Sequence, residues 1–461
     1  MFRRYRRHIL VLGVLLLAVF CFAPTPEGLS TEGQRCLGIF ATCGLFWVTG
    51  VLPLAVTSLL VLALLPLLGV MSADQAFALF GNRAVFFILG ALVLAASMIS
   101  TGLSARVALL VVSRFGRSPR TFLLGVLLSA AFLSLWMPEH AVAAMMFPVV
   151  LQIVHALNLT PGRSEWGKAV FLALGWGAVI GGIATLLGGA RNPLALAILY
   201  QTTGDTVGFF EWMRAALPLS VGLLAVTAVL LGRIAAREEV DIAPCRAVLE
   251  RRLAEAGPMT RAEKRLSWIG IATILAWIFL GHDFGLAQIS VLSAVLLFVF
   301  RVTDWSAVEE HVNWGIIIMY GGAVALGSAL VDSGAAHWLA LVLVSNSMVP
   351  PFLVLVAIAA GTLILTEGIS NSAAVAVVLP IALSLAEFEG ISAKLIAFTV
   401  ALPAGLAFCL PMGSPPNAIT YSAGYFRLRD VLVLGLVLKA VGLGIMLGLM
   451  HWVWPALGFG L

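Results

Sequence analysis

"EGISNSAAVAVVLP", residues 367–380, and "WMPEHAVAAMMFP", residues 136–148, overlay with Pro148 on Pro380. Each stretch has a polar triplet followed by small residues, and each lies inside a long apolar segment. The triplets differ: Ser370, Asn371 and Ser372 in one, Pro138, Glu139 and His140 in the other. Polar groups and helix breakers at membrane depth are tolerated only where the backbone turns back or breaks inside the protein. Each triplet therefore reads as the tip of a re-entrant helical hairpin, and the fold is built outward from the two tips.

Of the 461 residues, 61% are hydrophobic and 11% charged, where soluble domains carry about 25% charged. Apolar runs recur at 9–22, 36–71, 85–100, 122–136, 215–231, 269–280, 291–300, 316–331, 352–365 and 431–453. Several reach the roughly 20 residues a helix needs to cross the hydrocarbon core. Alternation of the barrel-strand kind is absent, so the spans are helices in contact with membrane lipid. The net charge of +5 sits in Lys/Arg clusters between the runs, which orients spans and gives no nucleic-acid surface. Five cysteines without ligand spacing read as packing residues. The first 23 residues have the basic start and apolar stretch of a signal peptide. They read here as a retained first span, since further spans follow directly.

From a cytoplasmic N-terminus, spans at 8–23, 36–51, 53–70 and 84–112 return the chain to the inside at Arg114, Arg117 and Arg120. A hairpin over 121–157, broken by Pro138 and Pro148, enters and leaves on that face. Spans at 169–200 and 212–232 lead to a polar segment, 233–265, whose eight Lys/Arg outnumber six Asp/Glu and mark it as cytoplasmic. The second half repeats the first. Residues 81–104 resemble 312–335, pairing Asn82, Gly90 and Gly102 with Asn313, Gly322 and Gly334; the triplets follow; then 181–198 faces 406–423, with Asn192 on Asn417. An odd number of crossings between equivalent elements inverts the second copy. The expected organisation is an N-terminal span and loop (1–35), a first repeat (36–232), a cytoplasmic linker (233–265) and a second repeat (266–461) with its hairpin at 352–388. The fold class is an all-α polytopic membrane protein of about 11 transmembrane helices plus two re-entrant hairpins, with the C-terminus on the outer face.

Helix ends at a hairpin tip expose free N–H groups, which favour an anion, and free carbonyls, which with Ser and Asn oxygens suit Na⁺. Ser370, Asn371 and Ser372 fit that role, and ordinary N-capping fits them too. "GSPPNA", 413–418, adds two prolines without N–H groups, which disfavour helix at Ser414 and Pro415 and break the span there. A broken span beside a polar hairpin tip, present in both halves, points to a transport centre. Trp166, Trp212, Trp268, Trp305, Trp314, Trp452 and Trp454 fall near span ends, as interfacial anchors would. The remaining histidines and Asp332 read as structural.

The stretches "WVTGVLPLAVTSLL" (47–60), "EGISNSAAVAVVLP" and "PMGSPPNAI" resemble the divalent anion:sodium symporter family, carriers of sulfate and di- or tricarboxylates. The resemblance runs from about Trp47 to the last span. It implies an elevator-type homodimer in the inner membrane, with a scaffold domain and a transport domain holding the two hairpins and two broken helices. It also implies sodium as coupling ion, with no organic cofactor. Carried over, one sodium site comprises Thr366, Ser370, Asn371, Gly413 and Pro415, largely through carbonyls, and Ser370, Asn371 and Ser372 contact a small anion. Pro415, Asn417, Glu139, His140, Arg191 and Asn192 join them as candidate anion-binding residues.

The first half departs from the family. Pro138-Glu139-His140 stands where the family has Ser-Asn-Thr, and Gly188-Gly189-Ala190-Arg191-Asn192 where it has Gly-Thr-Pro-Pro-Asn. Ser134 keeps its place four residues before the triplet. Three readings of the ionisable residues stand side by side: a structural Glu139–Arg191 pair, Arg191 in place of a sodium ion, and proton coupling through Glu139 and His140. The expected function is sodium-coupled import of a dicarboxylate- or sulfate-class anion, with proton-coupled or exchange transport as the alternative. A membrane-embedded enzyme lacks a nucleophile or metal set here, and hairpins of this kind argue against a channel.

Overall fold

The computed structural model describes residues 5–116, 118–344 and 350–459, and every regular element among them is helical. Arg117, one of the arginines used for topology, lies outside the described residues. The first half runs through α1 (Arg6–Phe22), α2 (Thr31–Thr49), α3 (Leu54–Leu67), α4 (Ala73–Phe80), α5 (Arg83–Ser100) and α6 (Leu103–Phe115). The hairpin α7 (Pro119–Leu133) and α8 (Glu139–Ala156) follows, then an interrupted helix, α9 (Glu165–Gly181) and α10 (Arg191–Thr203), and then α11 (Phe209–Ala235). Beyond α12 (Ala243–Ala256) come α13 (Arg261–Phe279), α14 (Gly281–Phe284), α15 (Leu286–Val299), α16 (Trp305–His311), α17 (Trp314–Asp332) and α18 (Ala335–Val344). A second hairpin, α19 (Pro351–Gly368) and α20 (Asn371–Glu389), precedes a second interrupted helix, α21 (Ala393–Ala404) and α22 (Pro415–Tyr421), and the final α23 (Leu428–Gly448).

Among the described residues, six helical stretches are long and apolar enough to cross a membrane: Ala73–Ser100, Glu139–Ala156, Phe209–Ala235, Trp314–Asp332, Pro351–Gly368 and Leu428–Val453. Five shorter apolar helices accompany them, α3, α7, α15 and α21 entire and the 371–387 part of α20. This is a multi-pass membrane protein that leaves many large apolar side chains exposed, among them Phe22, Leu67 and Ile364.

The same order of elements occurs twice. The α5–α6 break falls at Gly102, with φ +80°, and the α17–α18 break at Gly334, with φ +75°; both are left-handed conformations that favour glycine. The second pair of matched glycines has a packing role. A Cβ on Gly90 of α5 would lie 2.5 Å from the backbone of Ser290 in α15, and one on Gly322 of α17 would lie 2.5–2.7 Å from Ser58 in α3. Each long helix thus crosses the other half's short apolar helix at backbone contact, which knits the halves together.

Several boundaries differ from the sequence reading. Helix α2 begins at Thr31, because Ser30 caps the amide of Gly33, so the first loop ends before residue 35. The span expected at 84–112 is two helices, split at Gly102. Pro148 lies inside α8 without ending it; only Pro138, at the N-cap, marks the break. The segment 233–265 is no bare linker: α11 continues to Ala235, and α12 packs on α6 and α8. There Arg252 donates to Gln152 Oε1 at 2.6 and 3.1 Å, while Arg106 of α6 pairs with Glu263 at 2.7 Å. Of the tryptophans read as interfacial, Trp268, Trp305 and Trp452 are exposed, but Trp166, Trp212 and Trp454 are fully buried, each donating to a backbone carbonyl. Their indoles fill the core between helices, a use of Trp that position along a span does not reveal.

Gly90→Val and Gly322→Val are expected each to lower stability by about 1–3 kcal/mol through overpacking. Gly361→Val, where a Cβ meets nothing within 4 Å, should be near neutral. Thermal unfolding in detergent reads the difference.

Candidate substrate and cation site

Interrupting a helix inside an apolar body strands N–H and C=O groups that must find partners. In the first half the interruption runs over 182–190. Asn192, at the second position of α10, donates through Nδ2 to the carbonyls of Gly182 (2.9 Å) and Thr185 (2.6 Å), and Trp212 donates to that of Ile183 (3.1 Å). The hairpin tip closes onto the same stretch, with Glu139 N–H on Gly188 O at 2.9 Å and Thr185 Oγ1 on Leu135 O at 2.6 Å. In the second half the interruption runs over 405–414. Asn417 again reaches back ten residues, donating to Ala407 O at 2.7 Å. The two matched asparagines are thus clamps across the breaks.

At the centre, Arg191 Nη1 lies 3.1 Å from Glu139 Oε2, with the arginine 1% and the glutamate 5% exposed. Glu139 opens α8 and Arg191 opens α10, so the pair joins hairpin to broken helix. Its net charge is zero. The guanidinium also packs against the second half, since a Cβ on Gly405 would come within 2.5 Å of Arg191 Nε. Arg191 Nε and Nη2, Ser134 Oγ, Asn192 Oδ1 and Ser414 Oγ are buried polar atoms with no hydrogen bond among the described residues. Such atoms are uncommon away from functional sites.

Asn371, the second-half counterpart of Glu139, completes the centre. Its amide is oriented by its neighbours: Nδ2 faces Thr366 Oγ1 (2.8 Å), Gly413 O (3.0 Å) and Ala404 O (3.1 Å), and Oδ1 accepts from Arg191 Nη1 at 3.2 Å. The Thr366 hydroxyl donates in turn to Ala404 O at 2.7 Å. Three uncharged oxygens, those of Thr366, Ala404 and Gly413, thus converge on the Asn371 side chain, and hard oxygens of this kind suit an alkali cation.

The sequence-predicted residues separate accordingly. Thr366, Asn371 and Gly413 meet in one nest, joined by the Ala404 carbonyl, which sequence reading missed. Ser370 is spent as the N-cap of α20, its Oγ accepting from Ala373 N at 3.2 Å. Pro415 does not resist helix: it is the first residue of α22, where no N–H is required, and it is exposed. Ser372 is buried, and His140 is half-buried at the tip of α8 with no hydrogen bond or ion pair to a described residue. Sequence reading also passed over Glu367 and Lys439, paired at 2.7 Å and both largely buried. Each is an ionisable residue in an apolar run, the signal that singled out Glu139.

Two hairpins and two interrupted helices, meeting at buried polar tips within an all-helical apolar body, define a membrane transporter of the repeat-built secondary type. The family described as the sodium:sulfate symporter transmembrane region matches residues 5–459, and this chain belongs to it. The sodium-dependent dicarboxylate transporter SdcS of Staphylococcus aureus, in strains bovine RF122 and MSSA476, is 30% identical over 472 residues, covering 97% of this chain and 91% of the relative. Two solved structures share the fold: MtrF of Neisseria gonorrhoeae, described among antimetabolite efflux pumps (TM-score 0.58, 14% identity, 97% and 93% covered), and the YdaH transporter of Alcanivorax borkumensis (TM-score 0.55, 16% identity, 99% and 98% covered). The protein is a transporter and not an enzyme.

Breaking the central pair is expected to cost about 3–5 kcal/mol, because the remaining charge is buried unpaired. Arg191→Met and Glu139→Gln should therefore unfold at clearly lower temperature, and the double substitution should recover much of the loss. A double-mutant cycle on thermal unfolding measures it.

Proposed function

We infer that the protein is a sodium-coupled importer of a small divalent anion of the dicarboxylate or sulfate class. The observation that carries this is the nest of three oxygens, the Thr366 hydroxyl and the Ala404 and Gly413 carbonyls, that converges on Asn371 beside the second hairpin tip. It is a set of hard, neutral donors adjoining Ser372 and the α20 N-terminus, where an anion is favoured. Membership of the family and the sodium-dependent dicarboxylate transport named for its relatives support the same reading. Sodium in the nest brings the positive charge that the anion needs, since the buried ionisable side chains at the centre are already paired one to one.

In the first half, Arg191 takes a sodium ion's place as the link between hairpin and broken helix. Glu139 neutralises it, so it adds no net charge for the anion. Sodium bound by the second half therefore carries the coupling from this centre, while Ser372 and His140, at equivalent positions of the two tips, face the substrate. We further read the molecule as an inner-membrane homodimer working by an elevator motion. The hairpins, broken helices, α11 and α23 form the moving body, the remaining spans the scaffold, and the N-terminus is cytoplasmic.

Purified protein in proteoliposomes is expected to accumulate labelled succinate or sulfate under an inward sodium gradient and not under a proton gradient alone. Asn371→Ala should reduce that uptake about 10–100-fold, as loss of a metal-site group does. Accumulation driven by protons with sodium absent would instead select the Glu139/His140 alternative.

A further inference from the structure

Glu367 and Lys439 stand outside the centre described so far, yet they touch the backbone that builds it. Glu367 is the next-to-last residue of α19, adjacent in sequence to Thr366. Its carboxylate accepts three consecutive amides of the second interruption: Phe408 N (3.0 Å) and Cys409 N (2.9 Å) on Oε1, and Leu410 N (2.8 Å) on Oε2. Lys439, 5% exposed on α23, donates to Oε1 at 2.7 Å and to Leu363 O at 2.6 Å. The segment so held lies between Ala404 and Gly413, the two residues whose carbonyls enter the oxygen nest. Gly413 N closes a turn onto Leu410 O at 3.0 Å, and a Cβ on Gly413 would sit 3.0 Å from Glu367 Oε2.

The first half offers a contrast. Leu135 occupies the position equivalent to Glu367, one residue after Ser134 as Glu367 is one after Thr366. Its carbonyl is held by the Thr185 hydroxyl, and its side chain offers no carboxylate to the first interruption. The carboxylate clamp belongs to the half that has the oxygen nest.

We propose that Glu367, with Lys439 as its counter-ion, is the positioning residue of the sodium nest: it fixes the 408–410 amides so that the Ala404 and Gly413 carbonyls stay convergent on Asn371 and Thr366. The proposal rests on the sodium-coupled reading above. Only an ionised carboxylate accepts all three amides and the ammonium at once. A glutamine in its place turns an NH₂ group toward one of these donors, so the loop relaxes and the carbonyls spread. Sodium affinity is then lost while the anion's own contacts, on Ser372 and the hairpin tips, remain.

The test compares sodium and anion dependence in the same variants, with sodium-induced thermal stabilisation of the purified protein as a readout independent of transport. Glu367→Gln should raise the sodium concentration for half-maximal uptake about ten-fold or more, the usual effect of removing a group that orients metal ligands. The KM for succinate at saturating sodium should stay within about two-fold by the same comparison. Lys439→Arg, which keeps a counter-ion, should retain more of the sodium affinity than Lys439→Met, which removes it. If Glu367→Gln does not fold, Glu367→Gln/Lys439→Met removes both charges together and should show the same weakened sodium response. A folded variant with unchanged sodium dependence, or one that loses sodium and anion affinity equally, overturns the proposal. Wild-type protein indifferent to sodium in both uptake and melting overturns the sodium-coupled reading itself, and this with it.

Discussion

Two helices that stop inside an apolar body leave backbone groups that no lipid can satisfy, and most of the centre follows from how these are met. Asn192 and Asn417 each reach back ten residues to a stranded carbonyl. Around these clamps the halves diverge. The first closes its tip with a Glu139 amide and an ion pair; the second closes its tip with a carboxylate on three amides and leaves carbonyls turned toward Asn371. Arg191 Nη1 lies within hydrogen-bonding range of Glu139 Oε2 and of Asn371 Oδ1, so the two tips share one guanidinium.

The divergence has an electrostatic consequence. Each half buries one hairpin carboxylate with one base from outside the hairpin, Glu139 with Arg191 and Glu367 with Lys439. A buried charge left alone costs several kcal/mol, which accounts for the pairing. It also means that neither pair offers spare positive charge to an anion. Under the proposed function the balancing charge travels with the substrate, as sodium in the nest, and Asn371 joins that nest to Arg191.

Much of this was legible in the chain. Hydropathy identified a helical membrane protein, and the matched triplets located both hairpin tips, with breaks at Pro138 and at Ser370. The pairing of Gly90 with Gly322 and Gly102 with Gly334 is visible as repetition, although its cause, backbone contact with Ser290 and Ser58 and left-handed turns, lies in the three-dimensional packing. The two prolines marked the broken span, but Pro415 itself is helical, because the rule against proline in helices does not hold for a helix's first turn. Trp166, Trp212 and Trp454 misled because a span end in sequence is a core position when another helix covers it. The Ala404 carbonyl carries no side-chain signal, and Glu367 was passed over although it stands within the decisive stretch, because the neighbouring triplet accounted for that stretch's polarity. Lys439 was hidden in the hydropathy of the last span.

The central claim is that the halves are unequal, with a sodium nest in the second and a fixed ion pair in the first. Its most direct test is sodium-dependent thermal stabilisation of purified protein carrying Thr366→Val or Ser134→Ala, the two equivalent hydroxyl positions. A ligand that binds only the folded state raises the unfolding temperature. Sodium should stabilise wild-type and Ser134→Ala protein alike and fail to stabilise Thr366→Val. Equal loss of the sodium effect in both variants would contradict the account.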